Sequence, residues 1–200
     1  MAKATALVFL LLLMFQSATL AQKPFETLEF SIGSDLIISG NSILDHWDPS
    51  KRVAASLRTP YFRGELEAGG RYFRFDENSF EDSGFRSIYL FLGWHYPLSV
   101  SDRLSIIPGF RIGTNFLTQD NKREYFGGGA GDPFIFHEEE SIFAYELMLR
   151  SGWSLTERTT LTASISYNRS ALQIPFSLSY LSVGVSRTFT MPGWLQTVVK

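Results

Sequence analysis

The sequence predicts an all-β chain: an eight-stranded antiparallel up-and-down transmembrane β-barrel. Three observations carry this prediction. Apolar side chains recur at every second position through most of the chain, the links between such segments alternate between short and long, and the charges gather on the polar parity. Composition agrees, since 18 Phe, 8 Tyr and 4 Trp beside 16 Gly favour strands and turns over helices.

Taken in order, the chain opens with an address. Lys3 precedes the run Leu7-Val8-Phe9-Leu10-Leu11-Leu12-Leu13-Met14-Phe15, and Ser17-Ala18-Thr19-Leu20-Ala21 follows with small side chains at Thr19 and Ala21. This reads as a signal peptide over residues 1–21, cleaved before Gln22, because the apolar run is too short to span a bilayer as a helix. No later segment has 18 uninterrupted apolar residues, so a membrane location has to come from strands.

The strand segments follow. Leu28, Phe30 and Ile32 alternate with Thr27, Glu29, Ser31 and Gly33; Val53, Ala55 and Leu57 alternate with Ala54, Ser56 and Arg58. Leu66, Ala68, Gly70 and Tyr72 oppose Glu65, Glu67, Gly69 and Arg71, and Ile88, Leu90, Leu92, Trp94 and Tyr96 form the next apolar parity. Leu104, Ile106, Pro108, Phe110, Ile112 and Phe116 stand opposite Ser105, Gly109, Arg111, Gly113 and Asn115. Phe143, Tyr145, Leu147, Leu149 and Trp153 face away from Ala144, Glu146, Arg150 and Gly152. Leu161, Ala163, Ile165 and Tyr167 alternate with hydroxyl residues, and Leu181, Val183, Val185 and Phe189 oppose Ser182, Gly184, Ser186 and Thr188. Short links are expected at 59–62, 97–102 and 156–158, long ones at 39–51, 76–84, 117–140 and 169–175. An even strand count with links of alternating length returns both ends of the sheet to the same side of a membrane.

Which parity points inward decides between a membrane barrel and a soluble lipocalin-like carrier, the rival at the level of fold. The polar parity carries Glu29, Asp35, Arg58, Glu65, Glu67, Arg71, Arg111, Glu146 and Arg150 at strand centres. Facing lipid, each Arg costs about 2–4 kcal/mol near the midplane, so these charges must face inward or water. Eight strands leave an interior just wide enough for side chains to fill. The expected lumen is therefore a plug in which Glu29, Arg58, Glu65, Glu67, Arg71, Arg111, Glu146 and Arg150 interlock, the alternative for the same residues being a narrow gated channel or proton path. Aromatics at Tyr61, Phe62, Trp94, Tyr96, Trp153 and Phe189, and at Tyr72, Phe75, Phe85, Phe116, Phe143, Tyr167 and Phe176, are expected to form two interfacial girdles.

The last strand, Tyr180-Leu181-Ser182-Val183-Gly184-Val185-Ser186-Arg187-Thr188-Phe189, resembles the closing strand of bacterial outer-membrane β-barrels. With the eight-strand layout, the chain is similar to the small barrels of the OmpA and OmpX type. The resemblance implies a barrel domain over residues 22–189, an insertion signal at Leu181, Val183, Val185 and Phe189, and a short periplasmic tail over 190–200 opened by Pro192-Gly193. It also implies a place in the cell outer membrane of a Gram-negative envelope. The partners it implies are outer-membrane lipid and lipopolysaccharide, the barrel-insertion machinery, and an extracellular or periplasmic protein.

Other chemistries find little support. A formal charge of -2 lacks the basic excess of a nucleic-acid binder, and the absence of Cys removes disulfides, thiolate metal sites and a Cys nucleophile. His46, His95 and His137 share no metal-ligand spacing and read as loop or interface residues. His95 with Ser99 and His46 with Ser42 make no convincing triad. Gly127-Gly128-Gly129-Ala130-Gly131 lacks the Lys-Ser/Thr of a phosphate loop and reads as surface loop. Asn168-Arg169-Ser170 is a chance glycosylation sequon. Within residues 117–140, Tyr125, Phe126, Phe134, Ile135 and Phe136 either bind a partner or fold onto the rim. Lys51, Arg52, Lys122, Arg123 and Arg169 are placed to meet lipopolysaccharide phosphates. The expected role is non-enzymatic and without cofactor: structural, or loop-mediated binding and adhesion. The alternatives are a small porin-like channel and a lipid-modifying enzyme.

Overall fold

A computed structural model describes residues 24–40, 44, 47–77, 84–120, 139–171 and 176–199. Its strands are β1 Thr27–Gly40, β2 Trp47–Tyr61, β3 Gly64–Glu77, β4 Phe85–His95, β5 Leu104–Gln119, β6 Glu139–Ser154, β7 Thr159–Ser170 and β8 Phe176–Thr190. Each pairs antiparallel with its neighbours in sequence, and β1 pairs antiparallel with β8, so the sheet closes into an eight-stranded up-and-down barrel. Closure leaves no barrel strand with an unpaired edge, which is the condition for strands to sit in hydrocarbon. Leu98–Ser99 adds a two-residue rung against β5 within the β4–β5 link. A seven-residue helix, α1 Gly193–Val199, follows β8.

The two-residue period becomes two surfaces. Along β6 the residues from Ser141 to Arg150 alternate strictly between exposed and buried, and β4 shows the same rhythm. The exposed set is the greasy one: Phe30, Ile32, Val53, Leu57, Leu90, Leu92, Phe110, Ile112, Leu147, Leu149, Ile165, Leu181, Val183 and Val185 all point outward. The buried set includes Asp35, Arg58, Glu67, Arg71, Arg111, Glu146 and Arg150. A protein in water inverts this arrangement, so the outer wall is built to meet an apolar solvent.

The ladders run further than the alternation suggests, and the loops are correspondingly shorter. Trp47 to Lys51, expected in a long loop, pair with β3 as far as Glu77, with a bulge between Pro49 and Lys51 that absorbs the irregular pattern. Thr59 to Tyr61 likewise belong to β2, so the turn is Phe62-Arg63, with Phe62 at a positive φ of 57° as a two-residue hairpin demands. Gln119 and Glu139 lie within β5 and β6, Ser170 ends β7, and the last rung with β1 reaches Thr190. Proline and charge at strand ends mimic loop composition, but the partner strand supplies the register. The short turns crowd one end of the barrel and the longer connections the other. The expected signal peptide over 1–21, His46, His137, the Gly-rich run 127–131 and the apolar residues beside it lie outside the described residues.

The aromatic girdles need a correction. Phe75 and Phe85 are fully buried in the lumen, stacked with ring centroids 4.5 Å apart, and Trp47 meets Phe85 edge-on at 5.5 Å. With Phe73, Leu117, Ile142, Leu178 and Tyr180 they form an apolar layer that fills the barrel at its long-loop end. Both parities are apolar there, as in Tyr72-Phe73 and Phe116-Leu117, so alternation could not assign the inward face.

Candidate functional site

Below that apolar layer the lumen is ionic. Pairing register sets the charges in order around the wall, because Glu29 lies opposite Arg58, Arg58 opposite Glu67, Glu67 opposite Gly93, Gly93 opposite Arg111, and Arg111 opposite Glu146. Opposite charges on facing rungs stabilise a sheet pair, and here the charges occupy five of six consecutive strands, with Gly93 as the uncharged step.

Two carboxylates organise the centre. Glu67 accepts two hydrogen bonds from Arg111, at 2.7 Å from Nε and 3.0 Å from Nη2, and one from Ser56 Oγ at 2.7 Å. His95 Nε2 lies 2.6 Å from the same carboxylate, and Arg150 Nη2 approaches it at 3.4 Å. Glu146, with no exposed surface, accepts from Arg111 Nη1 at 2.7 Å and Arg71 Nη1 at 2.5 Å, and from the Tyr180 hydroxyl. Arg71 Nε also donates to Asp35 at 2.8 Å, and Ser182 donates to that Asp35. Arg111 thus bridges Glu67 and Glu146, joining β3, β5 and β6 across the interior. Its guanidinium also lies 4.3 Å from the Phe91 ring centroid, and that of Arg71 lies 4.2 Å from that of Tyr180, which places aromatic faces against the remaining flat surfaces.

Nearer the short turns, Arg58 Nη2 donates to Glu29 at 2.5 Å and Nη1 stands 3.6 Å from Glu65. The eight residues singled out for an inward network therefore all sit in the lumen, but as two clusters. Glu67, Arg71, Arg111, Glu146 and Arg150 share the centre, and Glu29, Arg58 and Glu65 line the mouth. A cavity of about 270 Å³ opens at that mouth beside Thr27, Glu29, Arg58 and Glu65. Farther in, a cavity of about 50 Å³ lies beside Arg150 and is walled by Ser31, Ser56, Thr162, Ser164 and Ser182. Arg150 Nη1 has no protein partner among the described residues, and a hydroxyl-lined space of this size suits water.

His95 departs from the expected interface role. It is completely buried and bonded to Glu67 because it continues the inward parity Tyr89, Phe91, Gly93 along β4. That parity was the available signal; position near a strand end obscured it. Tyr180, Asp35 and Ser56 complete the network, and a hydroxyl facing inward among Arg and Glu residues was the clue for Tyr180. Among the described residues, no cluster has the composition of a metal site.

Glycine makes room for this packing. A Cβ on Gly93 would stand 2.8 Å from Arg111 Cγ and 2.8 Å from the Phe110 carbonyl oxygen, so the empty slot between Glu67 and Arg111 is what lets the guanidinium cross to its carboxylate. Gly109 does the same for the His95 ring, whose Nδ1 would lie 1.9 Å from an added Cβ. Gly93→Ala is expected to cost about 1–3 kcal/mol through overpacking, measured as a lower urea midpoint for the vesicle-embedded protein. An unchanged midpoint would mean the Arg111 bridge tolerates displacement.

The outer face carries the last-strand residues Leu181, Val183, Val185 and Phe189, all exposed. Above the belt at the long-loop end, Asp120 bridges Arg74 at 2.5 Å and Arg86 at 3.5 Å, and Arg74 also pairs with Asp76 at 3.0 Å.

No protein-family model matches the chain, and no curated protein matches it in sequence. Its fold, however, is that of solved eight-stranded outer-membrane barrels. Neisserial surface protein A (NspA) superposes with a TM-score of 0.58 at 12% identity, over 84% of this chain and 100% of that one. The Yersinia pestis outer membrane protein Ail, in a phospholipid bilayer nanodisc, gives 0.50 at 13% identity, over 82% and 99%. The outer membrane protein AlkL, in lipid bilayers, gives 0.50 at 14% identity, over 88% and 96%.

Proposed function

We propose that this protein resides in a bacterial outer membrane as a closed barrel and acts through the loops at its long-loop end, in a structural or a binding and adhesion role. The observation that carries the reading is the filled interior. An apolar layer stands over a network in which Arg71, Arg111, Glu67 and Glu146 hold one another within hydrogen-bond distance, and the cavity at the centre is about 50 Å³. A passage for solutes needs a continuous wet channel, and a barrel plugged in this way transmits nothing through its axis. What remains available for function is the surface the barrel holds in place.

In this reading His95 serves the plug, since it lies inside the lumen with its Nε2 2.6 Å from the Glu67 carboxylate. The segment 121–138 contains Tyr125, Phe126, Phe134, Ile135 and Phe136 together with Lys122 and Arg123, a composition suited to gripping a partner. The insertion role of Leu181, Val183, Val185 and Phe189 fits the same reading, because they form the outward stripe of the closing strand.

Planar-bilayer recording separates this from the channel reading. The purified protein is expected to leave bilayers electrically silent. Steady unitary conductance that survives removal of detergent would replace the plug with a pore. In parallel, exchanging residues 121–138 for a Gly-Ser linker is expected to leave barrel stability unchanged and abolish attachment of expressing cells to the surface they bind. Attachment that persists unchanged would sink the role given to this loop.

A further inference from the structure

We infer that α1 is a membrane-surface helix: it lies on phospholipid at the short-turn end of the barrel, anchored by Trp194, and does not project as a soluble tail. The inference rests on the reading of the outer wall as lipid-facing. Its observations are independent of the lumen.

The helix begins where the lipid-facing belt ends. Phe189 is still exposed on the outer face of β8, the final rung of that strand is Thr190 with Thr27, and α1 starts three residues later at Gly193. Its root is fixed to the barrel, since Met191 is buried and its N–H donates to the Glu26 carbonyl at 3.1 Å. The Gln196 side chain closes the same corner by donating to the Met191 carbonyl at 3.3 Å. The helix therefore cannot drift away from the rim, and its first turn is held at the level where hydrocarbon gives way to headgroups.

The helix has the sequence Gly193-Trp194-Leu195-Gln196-Thr197-Val198-Val199 and carries no charge, so nothing in its composition holds it in water. Trp194 is 71% exposed, so the barrel does not cover it. A tryptophan left bare at the edge of an apolar belt, on a short uncharged helix, matches the interface between acyl chains and water, where indole is enriched. Phe62 and Leu155, both strongly exposed in turns at the same end of the barrel, continue this ring of apolar side chains around the rim. Continuity with the belt favours lipid as the occupant over a second copy of the chain or a soluble protein.

The test uses the full chain in phosphatidylethanolamine and phosphatidylglycerol vesicles, with quenching by lipid brominated near the headgroup and by aqueous acrylamide. The emission lost in the Trp194→Phe variant reports Trp194; the same difference for Trp153→Phe reports a residue 52% exposed on the belt. Because Trp194 makes little contact with the barrel, its replacement is expected to leave the fold intact, checked by heat-modifiable mobility on a gel. The expected result is severalfold stronger quenching of Trp194 by brominated lipid than by acrylamide. Strong acrylamide quenching with no effect of brominated lipid overturns the inference in favour of a soluble tail. Protection from both quenchers overturns it in favour of docking on protein. Should Trp153 also ignore brominated lipid, the membrane reading of the barrel fails with it, whereas failure at Trp194 alone leaves the barrel standing.

Discussion

Glu67→Gln is expected to lower the unfolding free energy of the membrane-embedded protein by about 3–5 kcal/mol, among the largest effects available to a single substitution. The carboxylate is fully buried and serves Arg111 twice, Ser56, His95 and, at longer range, Arg150. Glutamine keeps the shape and removes the charge, so Arg111 is left with Glu146 alone and Arg150 loses its nearest counter-charge inside a narrow interior. Glu29→Gln provides the contrast, because Glu29 is partly exposed at the mouth and Arg58 keeps Glu65 at 3.6 Å. Its cost is expected to be a small fraction of that for Glu67. Urea titration in vesicles, followed by the shift between folded and unfolded bands on unboiled gels, reads both. Equal midpoints for the two variants would show that the central network does not hold the barrel together. Replacing Glu67, Arg111 and Arg150 together with Leu is expected to recover part of the loss, since the isolated charge, more than the missing contact, sets the penalty.

Val183→Arg and Leu147→Arg are expected to cost about 2–4 kcal/mol each in the same assay. Val183 is 63% exposed and Leu147 58% exposed, and each lies at the middle of its strand. On a soluble protein, substitutions at positions this open to solvent change stability by no more than about 0.5 kcal/mol. In hydrocarbon the guanidinium must be dragged from water to the midplane. Arg187, which the chain already carries on the outer parity of β8, lies close to the short-turn end where the cost falls away. Neutral behaviour of both variants would mean that the wall does not meet lipid.

Much of this arrangement was legible in the sequence because the barrel uses the simplest code a strand offers. Where one face is greasy and the other charged, as in Phe143 to Arg150 or Leu181 to Phe189, period two fixes which side chain goes in and which goes out. That parity is what singles out the eight charges expected inside. The code fails where both faces are apolar, and so Phe75 and Phe85 were placed in a girdle although they stack inside the barrel. It also fails at ends, where Pro49 and Pro60 suggest loop but the neighbouring strand continues the ladder through a bulge or a turn. Register between strands is a third gap: Arg111 meets Glu146 because pairing sets them on facing rungs, and meets Glu67 two strands away across the vacancy at Gly93, and neither is a local property. The helix after β8 was hidden by its brevity, since seven residues carry little periodic signal and Pro192-Gly193 announces only that pairing ends.

The account stands on the apolar wall meeting hydrocarbon while the ionic network fills the lumen, and refolding from urea tests this most directly. Dilution into phospholipid vesicles is expected to give a compact band that migrates anomalously until boiled, and dilution into buffer without lipid or surfactant is expected to give only aggregate. A monomeric, compact and fully dissolved protein in plain buffer would contradict it, because Leu147, Val183 and their neighbours would then have to lie at the centre and the arginines outside.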